Sequence, residues 1–283
     1  MQIKEVSARK INDSRGKTTI EVSVNGSIAS SPSGKSTGKY ETPSYYQFIE
    51  WNIDFLNKFH TDIKINSFDD LKKLEDEIKK NANFKDVKQF GANALFAFES
   101  AVLKALAKNK NLQLWQVINP KAKRFPIPVG NAIGGGLHSH VPLHPEFQEF
   151  LIIPKGNRFS ENVLIMEHFY SQLQNNLNAT YKNDEGAWET SLSNEDILLH
   201  LVEFKDSISI GLDIAASSFY KDDKYYYKDK ILLKDEQIDY INFLMNTFKI
   251  FYCEDPLDEE DFEGFSKLNK KNNLIVGDDL TVT

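Results

Sequence analysis

Apolar and polar residues alternate through TIEVSV, within Thr18–Val24, so that Ile20, Val22 and Val24 share one face, as in a half-buried strand. A second short β-branched run, Ile3–Val6, predicts a strand ahead of it. Asn25-Gly26, between Val24 and Ile28, predicts a tight hairpin, because both residues tolerate positive φ. Ser30–Gly38 (SSPSGKSTG) is dense enough in Ser, Gly and Pro to read as a loop. Helical spacing then predicts helices over Tyr45–Phe59, over Phe68–Ile78 with Ser67 as cap, and over Ala92–Ala107. NPKAKRFPIP (Asn119–Pro128) holds three prolines and a basic cluster, which oppose both helix continuation and strand pairing. This is the expected boundary, giving domains 1–122 and 123–283.

Beyond it the pattern changes. Phe147–Ile153, Ile208–Leu212, Ile250–Cys253 and Leu274–Val276 are nearly continuous apolar runs, as in strands covered on both faces. Helical stretches over Glu195–Phe204, Asp235–Phe248 and Glu260–Asn269 lie between the later ones. The alternation predicts parallel βα units in an open doubly wound sheet or a barrel. Tyr220–Lys230 reads as an exposed loop or hairpin.

Composition narrows the class. The 283 residues are 41% hydrophobic, enough for a sizeable core in two domains or one large barrel. Acidic residues outnumber basic ones 41 to 34, which argues against non-specific binding to nucleic acid or an anionic membrane. One cysteine, Cys253, leaves no disulfide framework or thiolate cluster and fits a cytoplasmic location. No apolar run approaches the roughly 20 residues of a membrane span, and MQIKEVSARK does not resemble a signal peptide.

Three predicted strands end in acids: Asp213, Glu254-Asp255 and Asp278-Asp279. One acid after a strand is most simply a helix cap. Three in succession, each after an apolar run, predict carboxylates converging at the C-terminal face of a parallel sheet. Such a cluster needs a counter-charge, and an all-oxygen donor set favours Mg²⁺ over Zn²⁺. Upstream, NDEGAW (Asn183–Trp188) puts Asp184-Glu185-Gly186 in a loop, and GNAIGGG (Gly130–Gly136) leads to His138 and His140. Without a nearby cysteine or a helical HExxH, the two histidines read as a polar loop lining a substrate site rather than as zinc ligands. Gln148-Glu149 opens a buried strand. Neither GGG nor SGKSTG has the spacing of a nucleotide-binding loop.

Taken in chain order, DSRGKTTIEVSV, SPSGKSTGKYE, FGANAL, NAIGGGLHSH, QEFLIIP, DEGAW, GLDIAAS, EDPLDEED and VGDDLTVT resemble the enolase family over essentially the whole chain. The GGG and DEGAW forms are similar to its divergent, archaeal-type branch. The resemblance implies an α+β N-terminal domain followed by an incomplete α/β (TIM-like) barrel. It further implies Mg²⁺-dependent, reversible dehydration of 2-phosphoglycerate to phosphoenolpyruvate, and a homodimer. Carried over by motif, Asp213, Glu254 and Asp278 hold the first metal, and Ser36 helps hold a second as its loop closes. Glu185 is the general acid, Glu149 supports it, and His138 contacts substrate, with His140 as a register alternative. The family's lysine base and SHR-type motif fall on strands beyond Thr283, so a chain ending there is expected to lack the base. An alternative expectation is a non-catalytic enolase-like subunit that takes the further strands from a partner.

Overall fold

A computed structural model describes residues 1–31, 34 and 38–281. Two compact units are distinguished. One is built from the described residues of Met1–Lys35 and Glu41–Arg124, the other from those of Ser36–Tyr40 and Phe125–Val282.

In the first unit, β1 (Val6–Asn12), β2 (Thr18–Val24) and β3 (Ser27–Ser31) form an antiparallel meander. Asn25 and Gly26 both have positive φ, 49° and 77°, and close the β2–β3 hairpin as expected. The first strand begins at Val6 rather than Ile3. Ile3 is buried, but the chain there makes only a single bridge, from Gln2 to Lys64. Four helices follow: α1 (Ile49–Asn57), α2 (Leu71–Ala82), α3 (Ala92–Lys110) and the short α4 (Leu114–Ile118). α1 starts later than its apolar spacing suggests, because Gln47 is left-handed at φ 56° and Phe48 is extended. Ahead of α2, the Asp70 carboxylate accepts the N–H groups of Asn66 and Ser67, which otherwise lack partners at a helix start. Ala94, Ala97, Ala101 and Ala105 keep α3 slim, so Phe98, Val102 and Leu106 pack with Ile20, Val22 and Val24 in one core.

The second unit is a six-stranded sheet in the order β12-β11-β7-β5-β4-β6. Its strands are β4 (Gly130–Gly134), β5 (Glu149–Pro154), β6 (Trp188–Glu189), β7 (Ile208–Asp213), β11 (Ile250–Glu254) and β12 (Leu274–Val276). Helices α5 (Phe159–Asn176), α6 (Asn194–Val202), α7 (Lys234–Phe248) and α8 (Phe262–Lys267) complete it. Of these, α5, β4 and β6 are not among the elements that the sequence predicts. A three-stranded antiparallel sheet joins β8 (Tyr220–Lys221), β9 (Lys224–Tyr226) and β10 (Ile231–Leu233). It occupies the stretch expected to be an exposed loop or hairpin, yet Tyr225 is fully buried and Tyr227 nearly so. Phe150, Ile152, Ile210 and Leu212 of the large sheet share a core with Leu173, Leu201 and Leu244 of the helices.

The expectation of uniformly parallel strands needs one correction. β7, β11 and β12 are parallel, but β5 runs antiparallel to both β4 and β7. Residues 135–148, between β4 and β5, contain no α-helix, only a 3-10 turn at Gly136–His138. A parallel crossover generally needs a helix to carry the chain back, so this link returns the strand antiparallel. The reversal brings the first residue of β5, Glu149, opposite the last residue of β7, Asp213. Among the described residues no barrel closes: β12 and β6 are the sheet's two edges. No described helix is long and apolar enough to cross a membrane.

Candidate active site

The ends of β7, β11 and β12 meet at one end of the large sheet. Register pairs Glu254 with Asp213 on one side and with Val276 on the other. Asp213, Glu254 and Asp255 each offer a carboxylate oxygen within 4.8 Å of the others. Asp213 accepts from Gln148 Nε2 at 3.0 Å and from the Ala215 N–H at 3.1 Å. Glu254 accepts from the Tyr252 hydroxyl at 2.6 Å. Asp255 is buried, and its Oδ2 accepts the N–H groups of Asp278 at 3.1 Å and Asp279 at 2.9 Å. Its Oδ1 is buried without a hydrogen-bond partner. Burial and then the charges of Glu254, Glu149 and Asp255 push the Asp213 carboxyl well above its ordinary range. Glu254 and Asp255 are also raised, in both cases mainly by burial.

Two of the expected trio, Asp213 and Glu254, stand together with Asp255. Asp255, read from sequence as a neighbour that caps or orients, stands in the tight cluster. Asp278 acts on Glu254 through its charge and lies outside that cluster. Ser36 lies outside the described residues.

A second set gathers beside the first. His138, Glu149 and Glu185 also bring donor atoms within 4.8 Å of one another. His138, 3% exposed, places Nδ1 2.8 Å from Glu185 Oε2, and Asn131 Nδ2 donates to the same oxygen at 3.3 Å. Burial, the Glu185 charge and a hydrogen bond to Glu185 raise the Glu149 carboxyl to about 8. Glu149 therefore keeps its proton at neutral pH beside the Glu185 carboxylate that helps to raise it. Glu185 is presented by a turn that Asn183 organises, its Oδ1 accepting the N–H groups of Glu185 at 3.1 Å and Ala187 at 2.9 Å. Gly186, at φ 85°, makes the reversal. Gly134 must lack a side chain, because a Cβ there would run into the Asn183 amide.

The two histidines differ in their surroundings. His138 is buried against Glu185, whereas the His140 side chain is 63% exposed. His140 is held by the buried Glu189, whose Oε1 accepts its N–H at 2.5 Å and lies 3.2 Å from its Nδ1. Glu189 and Tyr252 belong to no motif that the sequence shows. Strand alternation alone puts Tyr252 on the same face as Glu254.

At the start of this unit, Lys39 donates its N–H to Glu259 at 2.8 Å and pairs with Glu260 through Nζ at 2.7 Å. The Tyr40 hydroxyl also donates to Glu260.

Hard oxygen donors, mutual repulsion and a buried, unpartnered Asp255 oxygen together fit a small divalent cation. Among the described residues, no ion pair reaches Asp213, Glu254 or Asp255 to do that work. Acids gathered at the C-terminal ends of parallel strands define the class of α/β enzymes, which build their sites at that end of the sheet. The comparisons name the family within that class. Residues 3–118 match the family model "Enolase, N-terminal domain", and residues 122–283 match "Enolase, C-terminal TIM barrel domain". The enolase of Methanosphaera stadtmanae is 34% identical over 99% of this chain and 75% of its own length. Those of Picrophilus torridus and Ehrlichia ruminantium are each 33% identical over the whole chain, covering 76% and 75% of theirs. The chain belongs to the enolase family.

Proposed function

We propose that the protein catalyses the Mg²⁺-dependent, reversible dehydration of 2-phosphoglycerate to phosphoenolpyruvate. One observation carries the reading: the Asp213/Glu254/Asp255 cluster and the His138/Glu149/Glu185 set share one sheet end, with Glu149 opposite Asp213. Asp213, Glu254 and Asp278 are the proposed metal ligands, with Asp255 supporting them by geometry. Bound Mg²⁺ would stabilise the negative charge that builds on the substrate carboxylate as a base takes the α-proton; the family resemblance gives that base as a lysine on the strand after the one ending in Asp278-Asp279. Glu185 is the proposed general acid. It gives a proton to the departing hydroxyl, which leaves as water, and Glu149, protonated beside it at neutral pH, is the neighbouring donor that resupplies it. His138, fixed through Nδ1 against Glu185, orients that acid and contacts substrate. No lysine among the described residues is assigned as the base. Ser36 is proposed as a ligand to a second Mg²⁺. Domains of 1–122 and 123–283, a homodimeric assembly and a cytoplasmic location complete the reading.

A second reading, a subunit that takes further strands from a partner, is favoured by one feature. Among the described residues β12 has a strand neighbour on one side only, and Leu274 there is half exposed. Calorimetric titration decides the first reading. Phosphoenolpyruvate should bind in the presence of Mg²⁺ and weaken at least 10-fold without it or in Asp213→Asn. Binding that ignores both changes overturns it.

A further inference from the structure

Tyr252 and Glu254 are two residues apart on β11, and strand geometry puts i and i+2 side chains on one face. Cys253, between them, points the other way and is fully buried in the core. The Tyr252 hydroxyl therefore reaches along the strand and donates to Glu254 Oε2 at 2.6 Å.

The three clustered carboxylates are restrained differently. Asp213 has both oxygens engaged, Oδ2 by Gln148 and Oδ1 by the Ala215 N–H. Asp255 has Oδ2 fixed by two backbone N–H groups. Glu254 is restrained by one side-chain hydroxyl, which takes one lone pair of Oε2, fixes the turn of the carboxylate and leaves Oε1 the oxygen with more capacity to ligate. Ligation by one oxygen or by two separates cations. Mg²⁺ demands near-octahedral geometry with short bonds and suits one-oxygen carboxylates, whereas the larger Ca²⁺ takes six to eight oxygens and accepts two-oxygen carboxylates.

We propose that Tyr252 is a positioning residue that holds Glu254 to one-oxygen ligation and so biases this site toward Mg²⁺ and against Ca²⁺. The inference rests on the proposed cation site, and its test separates the two. Affinities for Mg²⁺ and for Ca²⁺ are measured by calorimetry on the full chain, without substrate, for the wild type, Tyr252→Phe and Glu254→Gln. Tyr252→Phe should shift the ratio of the two dissociation constants toward Ca²⁺ by about 10-fold, the lower end of what outer-shell changes do to metal affinity. A purely structural role would weaken both cations alike, so an unchanged ratio overturns the proposal. Should Tyr252→Phe fail to fold, Tyr252→Leu makes the same comparison, and Tyr252→His, which restores a ring N–H donor, should recover the wild-type ratio. Failure of the wild type to bind either cation, or wild-type binding by Glu254→Gln, overturns the cation site itself.

Discussion

Glu99 on α3 faces Glu75 of α2, and burial followed by the Glu75 charge raises its carboxyl to about 7. An unfolded glutamate titrates near 4.3, so between about pH 4.3 and 7 the folded chain keeps a proton that the unfolded chain has released. Stability from this group is therefore fully present below that window and is lost as pH rises through 7. Glu99→Gln should flatten the fall of the thermal midpoint between pH 5 and 8, and should stabilise the protein at pH 8 by roughly 1–2 kcal/mol. A midpoint with the same pH slope in both proteins would refute this account. The same reasoning applies to Glu149, at about 8 through burial and then the Glu185 charge. Glu185→Gln removes the charge but leaves the burial. The Glu149 titration, followed by carboxyl NMR, should fall by about one unit yet stay above the ordinary range. Much of this site is legible in the residues themselves: the acids at Asp213 and Glu254, the DEGAW turn and Glu149 at a strand start are all visible as motifs. Tyr252, Glu189 and the prominence of Asp255 are not. Each matters through a hydrogen bond or burial that only tertiary packing creates.

The turn over Asn183–Ala187 is a small element that rests on one side chain. Asn183 accepts two N–H groups through Oδ1 and packs against the bare backbone of Gly134. Asn183→Ala should cost about 1–3 kcal/mol, since it strands two donors, one of them the buried Ala187 N–H. Hydrogen exchange should quicken at Glu185 and Ala187 first; unchanged exchange there would mean that the backbone alone holds the turn. At this scale the hairpin at Asn25-Gly26, helices α2, α3 and α7, and strands β7, β11 and β12 follow from local spacing and turn chemistry. The direction of β5 does not. Its apolar run is compatible with either orientation, and the choice is made by a helix-free connection over residues 135–148. Similarly, β4 hides in a glycine-rich stretch whose small residues suit close packing. Gly130 lies against Met166, and Gly134 against Asn183.

For the molecule as a whole, the acidic sheet end is an unfavourable feature that the rest of the second unit must hold together. The core of that unit joins the sheet to α5, α6 and α7, while the carboxyls of Asp213, Glu254 and Asp255 all sit above their ordinary range. A cation that binds the folded cluster and not the unfolded chain should add RT ln(1 + [L]/Kd), about 2.7 kcal/mol at 100-fold excess over Kd. The stabilisation should be local before it is global. Amides of β7 and β11 and of residues 254–255 should gain hydrogen-exchange protection on adding Mg²⁺, whereas β1–β3, packed in a separate core, should not. Asp213→Asn removes one charge from the cluster and keeps the shape of the side chain. It should raise the midpoint without Mg²⁺, because the repulsion is relieved, and should cancel the gain with Mg²⁺, because a ligand is lost. These two effects have opposite signs, so together they separate a cation site from a merely crowded set of acids. If Asp213→Asn raised the midpoint while Mg²⁺ still stabilised it by the wild-type amount, the cation would be bound elsewhere. The acids at this sheet end would then be no more than a source of strain.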